Sequence, residues 1–318
     1  MSKAACSSRR TPHRAYQRAA EVGVAKRDSI VRYDPALGLA PVFKPLSKSE
    51  PRGKLDVERT HGDLKLRWRG PDELGVQDET VLLAVLLLAR AERTSLTRHD
   101  ETSAAWELWQ GLQARGFYDE GEVIMTTASF SALAEACGRG DGGSSIKQIR
   151  ESLRRLSEVT LWVSAGPAEA SSRMLSWIVG DDKKVLIAVN RRLAEGLTGT
   201  HSVQIDLAER HQLRSTTAQA LHSRISSQIR QGEERNVIVD TVIARIWGTS
   251  ATGATLRKRQ QRVHEAFNDV GSLPGWTVER IPNGRYSVKR HKTKSGESAT
   301  ATEDSPSNRS RPPAPELV

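Results

Sequence analysis

Cysteine is close to absent from this chain of 318 residues, which holds Cys6 and Cys137 and no other. Two thiols provide neither a disulfide framework nor a cysteine zinc site, and Cys137, set in an apolar helical pattern, reads as a small core residue. Aromatic residues make up 5% of the sequence, which argues against stacking on single-stranded bases as the main mode of binding. Trp106 and Trp109, three apart, fit one helix face and read as core. Long hydrophobic runs are missing as well. The longest, residues 81–91, falls short of the roughly 20 residues that span a bilayer, so it reads as a buried helix and no membrane partner is expected. The N-terminus runs Met-Ser-Lys-Ala-Ala-Cys-Ser-Ser-Arg-Arg without the apolar stretch of a secretory signal, and a cytoplasmic protein is expected.

Motifs for chemistry are missing too. There is no Gly-x-x-x-x-Gly-Lys-Ser/Thr, and the glycine-rich Gly138-Arg139-Gly140-Asp141-Gly142-Gly143-Ser144-Ser145 lacks the lysine that would reach a nucleotide phosphate. It reads as a flexible turn. The eight histidines show neither His-x-His nor His-Glu-x-x-His spacing, which would set two imidazoles on one metal. The carboxylate pairs Asp181-Asp182 and Glu233-Glu234 fall in turns and read as solvated. The expectation is a protein that is no enzyme, with no catalytic residue, metal or cofactor.

What is there is positive charge. Lys and Arg number 48 against 38 Asp and Glu, a net charge of +10, so a polyanionic partner is indicated. Residues 1–54 carry twelve basic residues against four acidic ones, with prolines at 35, 41, 45 and 51 and weak apolar periodicity. They read as a mostly extended, disordered basic arm. Residues 292–318, rich in Ser, Thr, Pro and Gly, read as a disordered tail.

Between these ends one pattern occurs twice. Val123-Ile124-Met125 precedes a helical pattern through Phe130, Leu133, Ala134 and Cys137 that stops at Gly138; Val237-Ile238-Val239 precedes one through Val242, Ile243, Ile246 and Trp247 that stops at Gly248. A basic amphipathic helix follows each glycine. In the first, Ile146, Ile149, Leu153 and Leu156 form the apolar stripe, and Lys147, Gln148, Arg150, Arg154 and Arg155 are DNA-binding candidates. In the second, Leu256, Val263, Phe267 and Val270 form the stripe, and Arg257, Lys258, Arg259, Gln261 and Arg262 are the candidates. Arginine and lysine reach guanine edges and phosphates, and glutamine reads adenine, which is the chemistry a recognition helix needs.

Strand-like segments follow each helix: residues 159–163, 174–179 and 185–189 after the first, 276–281 and 286–289 after the second. Pro282-Asn283-Gly284-Arg285 signals a tight hairpin and places Arg285 at its tip. Helices at residues 78–91 and 215–231 lead the two units, and one at 190–197 joins them. The expected fold is α+β with tandem winged-helix domains: an arm at 1–54, a first domain at 55–198, a second at 199–291 and a tail at 292–318.

Five stretches carry a family resemblance: Asp34-Pro35-Ala36-Leu37-Gly38-Leu39-Ala40-Pro41, Lys54-Leu55-Asp56-Val57, Ser129-Phe130-Ser131-Ala132-Leu133-Ala134-Glu135, the run from Thr255 to Val263, and Gly275-Trp276-Thr277-Val278. In their order and spacing, over residues 32–290, the sequence resembles the RepC-type replication initiators of IncQ plasmids. Gln260 departs from the more continuously basic run of that family. The resemblance implies binding of directly repeated double-stranded DNA (iterons) at a plasmid origin, opening of a neighbouring AT-rich segment, and a plasmid helicase and primase as partners. A transcriptional regulator with the same fold, a non-specific nucleoid-type protein and an enzyme with an unrecognised site are the other classes. Monomer and homodimer both stay open.

Overall fold

The computed structural model describes residues 29–47, 51–97, 103–119, 122–199 and 202–292. Their apolar side chains gather in two large cores and one small one. The chain enters the first core at β1 (Ile30–Tyr33), where Val31 and Tyr33 are buried, and turns into α1 (Pro35–Leu39). Asp34 caps that helix by accepting the Ala36 amide at 2.9 Å, and Pro35 fills the first helical position, where its missing N–H costs nothing.

The extended arm expected through residue 54 therefore needs correcting from Ile30 to Lys44. Ala36, Leu37, Ala40, Val42 and Phe43 are all buried, and of the prolines read as marks of an extended chain Pro35 starts a helix and Pro41 lies in the turn before β2 (Phe43–Lys44). The expectations for residues 1–28 and 293–318 lie outside the described residues.

Next come β3 (Leu55–His61) and β4 (Leu64–Gly70), an antiparallel pair turning at Gly62, and then β5 (Leu74–Gly75). The hydrophobic run forms α2 (Val76–Ala91), in which every residue from Asp78 to Leu86 is buried, as its lack of a polar face requires. After β6 (Thr94–Leu96), α3 (Ser103–Leu112) and β7 (Arg115–Gly116), the chain forms β8 (Val123–Ala128), α4 (Phe130–Ala136) and α5 (Gly143–Glu158).

Four strands follow: β9 (Thr160–Ala165), β10 (Ala168–Arg173), β11 (Leu175–Val179) and β12 (Val185–Val189). They divide between two sheets, ordered β3-β4-β9-β10-β7 and β11-β12-β8-β6. The joining helix α6 (Arg191–Thr198) leads to β13 (Val203–Asp206), which returns to pair antiparallel with β1.

After α7 (Leu207–Gln212), whose Leu207 still packs in the first core, the second core is built on α8 (Thr216–Ser226), β14 (Glu234–Ile238), α9 (Val239–Trp247), α10 (Gly253–Gly271), β15 (Trp276–Ile281) and β16 (Arg285–Arg290). Helix α8 stops at Ser226, five residues short of the sequence expectation.

The two units repeat one plan. In the first, α2, β8, α4, α5, β11 and β12 follow in order, and β12 lies between β8 and β11; in the second, α8, β14, α9, α10, β15 and β16 do so, and β16 lies between β14 and β15. The β9–β10 hairpin is an insertion into the first unit.

Ionic contacts buried between the units join them. Arg210 of α7 donates to Glu79 of α2 at 2.8 Å, and Arg224 of α8 lies 3.9 Å from the same carboxylate, with all three side chains essentially unexposed. Arg224 also donates to the carbonyls of Gly38 and Phe43 at 2.7 and 3.1 Å, and so holds the folded end of the arm against the second unit.

Candidate nucleic-acid interface

Helix α10 buries Val263, Ala266, Phe267 and Val270. At 100° per residue, the arc opposite that stripe carries Arg257, Lys258, Gln261 and Arg262, and all four are exposed. Phe267 stacks on Tyr286 of β16 with ring centroids 4.0 Å apart, and His264 Nδ1 lies 2.8 Å from the Tyr286 hydroxyl, so helix and hairpin are fastened together. The hairpin turns through Asn283 and Gly284 at φ +64° and +65°, a left-handed pair that glycine and asparagine tolerate best, and brings Arg285 out exposed. Among the described residues no carboxylate comes within ion-pair distance of Arg257, Lys258, Arg262 or Arg285. Four cations without an ion-pair partner among the described residues thus lie on one helix and its adjoining hairpin.

Two candidates on α10 are engaged within the protein. Arg259 lies toward the buried side of the helix: its guanidinium sits 5.2 Å over the Trp247 ring and donates to the Thr249 carbonyl at 2.7 Å, fixing the N-terminal half of α10 to the end of α9. Gln261 donates to Glu265 at 2.9 Å, an exposed bond that a base edge can replace.

Helix α5 has the same amphipathic plan with a different charge balance. Arg155 donates to the Asp78 carboxylate at 2.7 Å, and Asp78 is fully buried at the start of α2. Burial pushes the Asp78 carboxyl up, but hydrogen bonding and charge from Arg155, together with the Gly75 amide, outweigh it and hold it below the usual carboxylate range. Arg154 is shared among Glu158 at 2.8 Å, Asp72 at 3.5 Å and Glu151 at 3.6 Å. Arg150 lies 4.1 Å over the Phe130 ring, and Gln148 contacts Arg139 and Ser144. Lys147 remains exposed and without an ion-pair partner among the described residues. The structure thus leaves Arg257, Lys258, Gln261, Arg262 and Arg285 exposed on α10 and its adjoining hairpin, and ties Arg154 and Arg155 into the framework of the first unit.

Other sequence candidates also have a place. Trp109 is buried at 4% exposure, but Trp106 is 47% exposed, so three-residue spacing does not put both in the core. Cys137 is buried, and burial pushes its thiol up to about 12. Sequence reasoning missed Lys65, Arg67 and Arg69, which alternate along β4 with buried Leu66 and Trp68; the period-two pattern was the available signal. No helix of the described residues is long and apolar enough to cross a membrane.

Comparison with known proteins agrees with this architecture. A crystal structure of selenomethionine derivatives of domain 2 and domain 3 of RctB superposes with a TM-score of 0.50 at 12% identity, covering 82% of this chain and 100% of that one. A second crystal structure of RctB domains 2–3 gives 0.45 at 12% identity, covering 81% and 97%. At such identity the likeness is one of fold. No curated protein matches the chain. The sequence profile of the replication protein C (RepC) family matches residues 26–292, and the protein belongs to that family.

Proposed function

We propose that the protein is a plasmid replication initiator that binds directly repeated duplex DNA at an origin and promotes opening of the neighbouring duplex for a helicase and primase. In this reading each repeated unit is a winged helix, α10 is the recognition helix of the second, and the β15–β16 hairpin is its wing. One observation carries it: Arg257, Lys258 and Arg262 stand exposed opposite the apolar stripe of α10, beside Arg285 at the hairpin tip, and have no carboxylate partner within the described residues. A helix of that kind lies in a major groove with cations toward base edges and phosphates, while a wing follows the backbone.

With no nucleotide-binding loop in the sequence, opening would draw on binding energy and DNA deformation, helped by negative supercoiling. Footprinting on DNA beside the encoding gene, with permanganate probing of a supercoiled origin plasmid in the absence of ATP, tests the proposal. Protected direct repeats flanked by reactive thymines are expected. Full protection with no thymine reactivity, with or without the partner helicase, would instead indicate a regulator.

A further inference from the structure

The five-stranded sheet of the first unit has one face in the core and one face toward solvent. Leu55, Val57, Leu66, Trp68, Leu161 and Val163 point inward and are buried. The outward face is unusual in composition. Strand β4 presents Lys65, Arg67 and Arg69, all exposed, and β9 beside it presents Trp162, 46% exposed in the middle of the strand. Arg67 stands directly opposite Trp162 in the β4–β9 register, and Lys65 and Arg69 are its diagonal neighbours, opposite Ser164 and Thr160. Diagonal neighbours on a sheet are about 7–8 Å apart, so three cations line the β4 side of one exposed indole, with Glu58 and Asp56 of β3 opposite Arg67 and Arg69 and Glu169 of β10 opposite Ser164 on the same face.

Next to that ring lies an open depression of about 340 Å³ edged by Lys54, Asp56, Arg69 and Thr160. Asp56 pairs with Arg67 at 2.7 Å and reaches Arg69 at 3.7 Å, but these groups are about half exposed, and exposed pairs contribute little and exchange readily for other anions.

We propose that this face binds single-stranded DNA, with Trp162 stacking on a base and Lys65, Arg67 and Arg69 contacting phosphates. A flat aromatic face among cations suits a polyanion that carries planar rings. The strand must be unpaired, because a duplex keeps its base faces stacked on one another and offers an indole none. The rigidity of the site comes from its inner face, which is part of the core. The surface belongs to the first unit and is separate from α10, so the binding does not require the duplex-reading role; only the source of the strand, a duplex opened during replication, rests on that reading.

The test uses the full chain and a fluorescent oligothymidine of about 20 nucleotides, read by anisotropy. Trp162→Ala should weaken binding about tenfold or more, and Trp162→Phe should largely restore it, since phenylalanine keeps an aromatic face on which a base can stack. The Lys65→Gln/Arg69→Gln double variant should weaken it too and lower the salt slope by about 0.7 for each phosphate contact removed. Duplex repeat binding should be unchanged in all three, and Arg257→Ala should leave oligothymidine binding unchanged. The proposal is overturned by a folded Trp162→Ala protein that binds oligothymidine as the parent does, by a parent protein that does not bind it, or by preference for an RNA of the same length. Loss of duplex binding in Trp162→Ala along with oligothymidine binding would be a general perturbation and would overturn it as well.

Discussion

Arg155 and Arg257 are both arginines on basic amphipathic helices, and the structure assigns them opposite kinds of work. Arg155 neutralises a carboxylate that has no access to water, so Arg155→Ala should destabilise the protein by about 3 kcal/mol, toward the lower end for a broken buried pair because Arg52 still reaches Asp78 at 2.9 Å. Urea denaturation measures this. Arg257→Ala should change stability by no more than about 0.5 kcal/mol yet cost about 1–3 kcal/mol in binding and relax preference at one base position. A DNA affinity series over single-base variants of the repeat distinguishes that from a phosphate contact, which weakens all sequences alike. Another residue gives a pH signature. Burial, reinforced by Arg210 and Arg139, pushes His211 down to about 4 from its ordinary 6.5. Between those values the unfolded chain takes up a proton that the folded protein refuses. Stability present above pH 6.5 is therefore lost as the pH falls toward 4, by up to about 3 kcal/mol. The slope of unfolding free energy against pH across that window should be smaller in His211→Asn; an unchanged slope would remove His211 from the acid response.

At the level of elements, the two repeated units share a backbone device. The middle helix of each ends at a glycine with φ +69°, Gly138 after α4 and Gly248 after α9. At Gly138 the end is a Schellman motif, with the Gly138 amide donating to Glu135 and the Arg139 amide to Ala134. A Cβ there would come within 2.8 Å of the His211 ring, and one at Gly248 within 2.8 Å of the Pro41 side chain, so space as well as φ demands glycine at both sites. Gly138→Ala and Gly248→Ala should each cost about 1–3 kcal/mol, measured by thermal or urea unfolding. Both glycines were legible in the sequence, as were the stripes of α5 and α10 and the Asn283-Gly284 turn, because local periodicity and turn chemistry specify them. Much of the sheet was not. Strand β10, Ala-Glu-Ala-Ser-Ser-Arg, has little strand propensity and is held by its pairing with β9. Strand β1, from Ile30 to Tyr33, is paired with β13, from Val203 to Asp206, far along the sequence, a partnership no local pattern announces. The candidate site was legible to the same depth: spacing identified the outward arc of α10, but it could not show that Asp78, Glu158 and Trp247 would engage Arg155, Arg154 and Arg259.

For the molecule as a whole, the junction decides how the two basic helices can be used. Strand β1 is zipped to β13, Asp34 accepts from Arg192 at 2.6 Å, and Glu79 is set against Arg210 and Arg224 where water does not reach. The units are thus held in one relative orientation, and if both touch a single repeat they must do so at one fixed spacing. Recognition helices on one face of DNA lie about 34–36 Å apart, one helical turn, so one molecule should protect about two turns. Inserting half a turn, about 5 base pairs, inside the repeat should then cost nearly all of the contribution of the first unit, because the rigid junction cannot follow the rotation. Glu79→Gln separates this from a flexible tether. It leaves two buried guanidinium groups without their counter-charge, which should lower stability by about 3–5 kcal/mol and loosen the junction. Under conditions where that variant remains folded, it should bind the natural repeat more weakly than the parent and should distinguish the natural repeat from the half-turn insertion less sharply. Equal discrimination by Glu79→Gln and the parent, measured by gel shift on the two DNAs, would mean that the spacing is set by the DNA contacts themselves and not by the buried charges between the units.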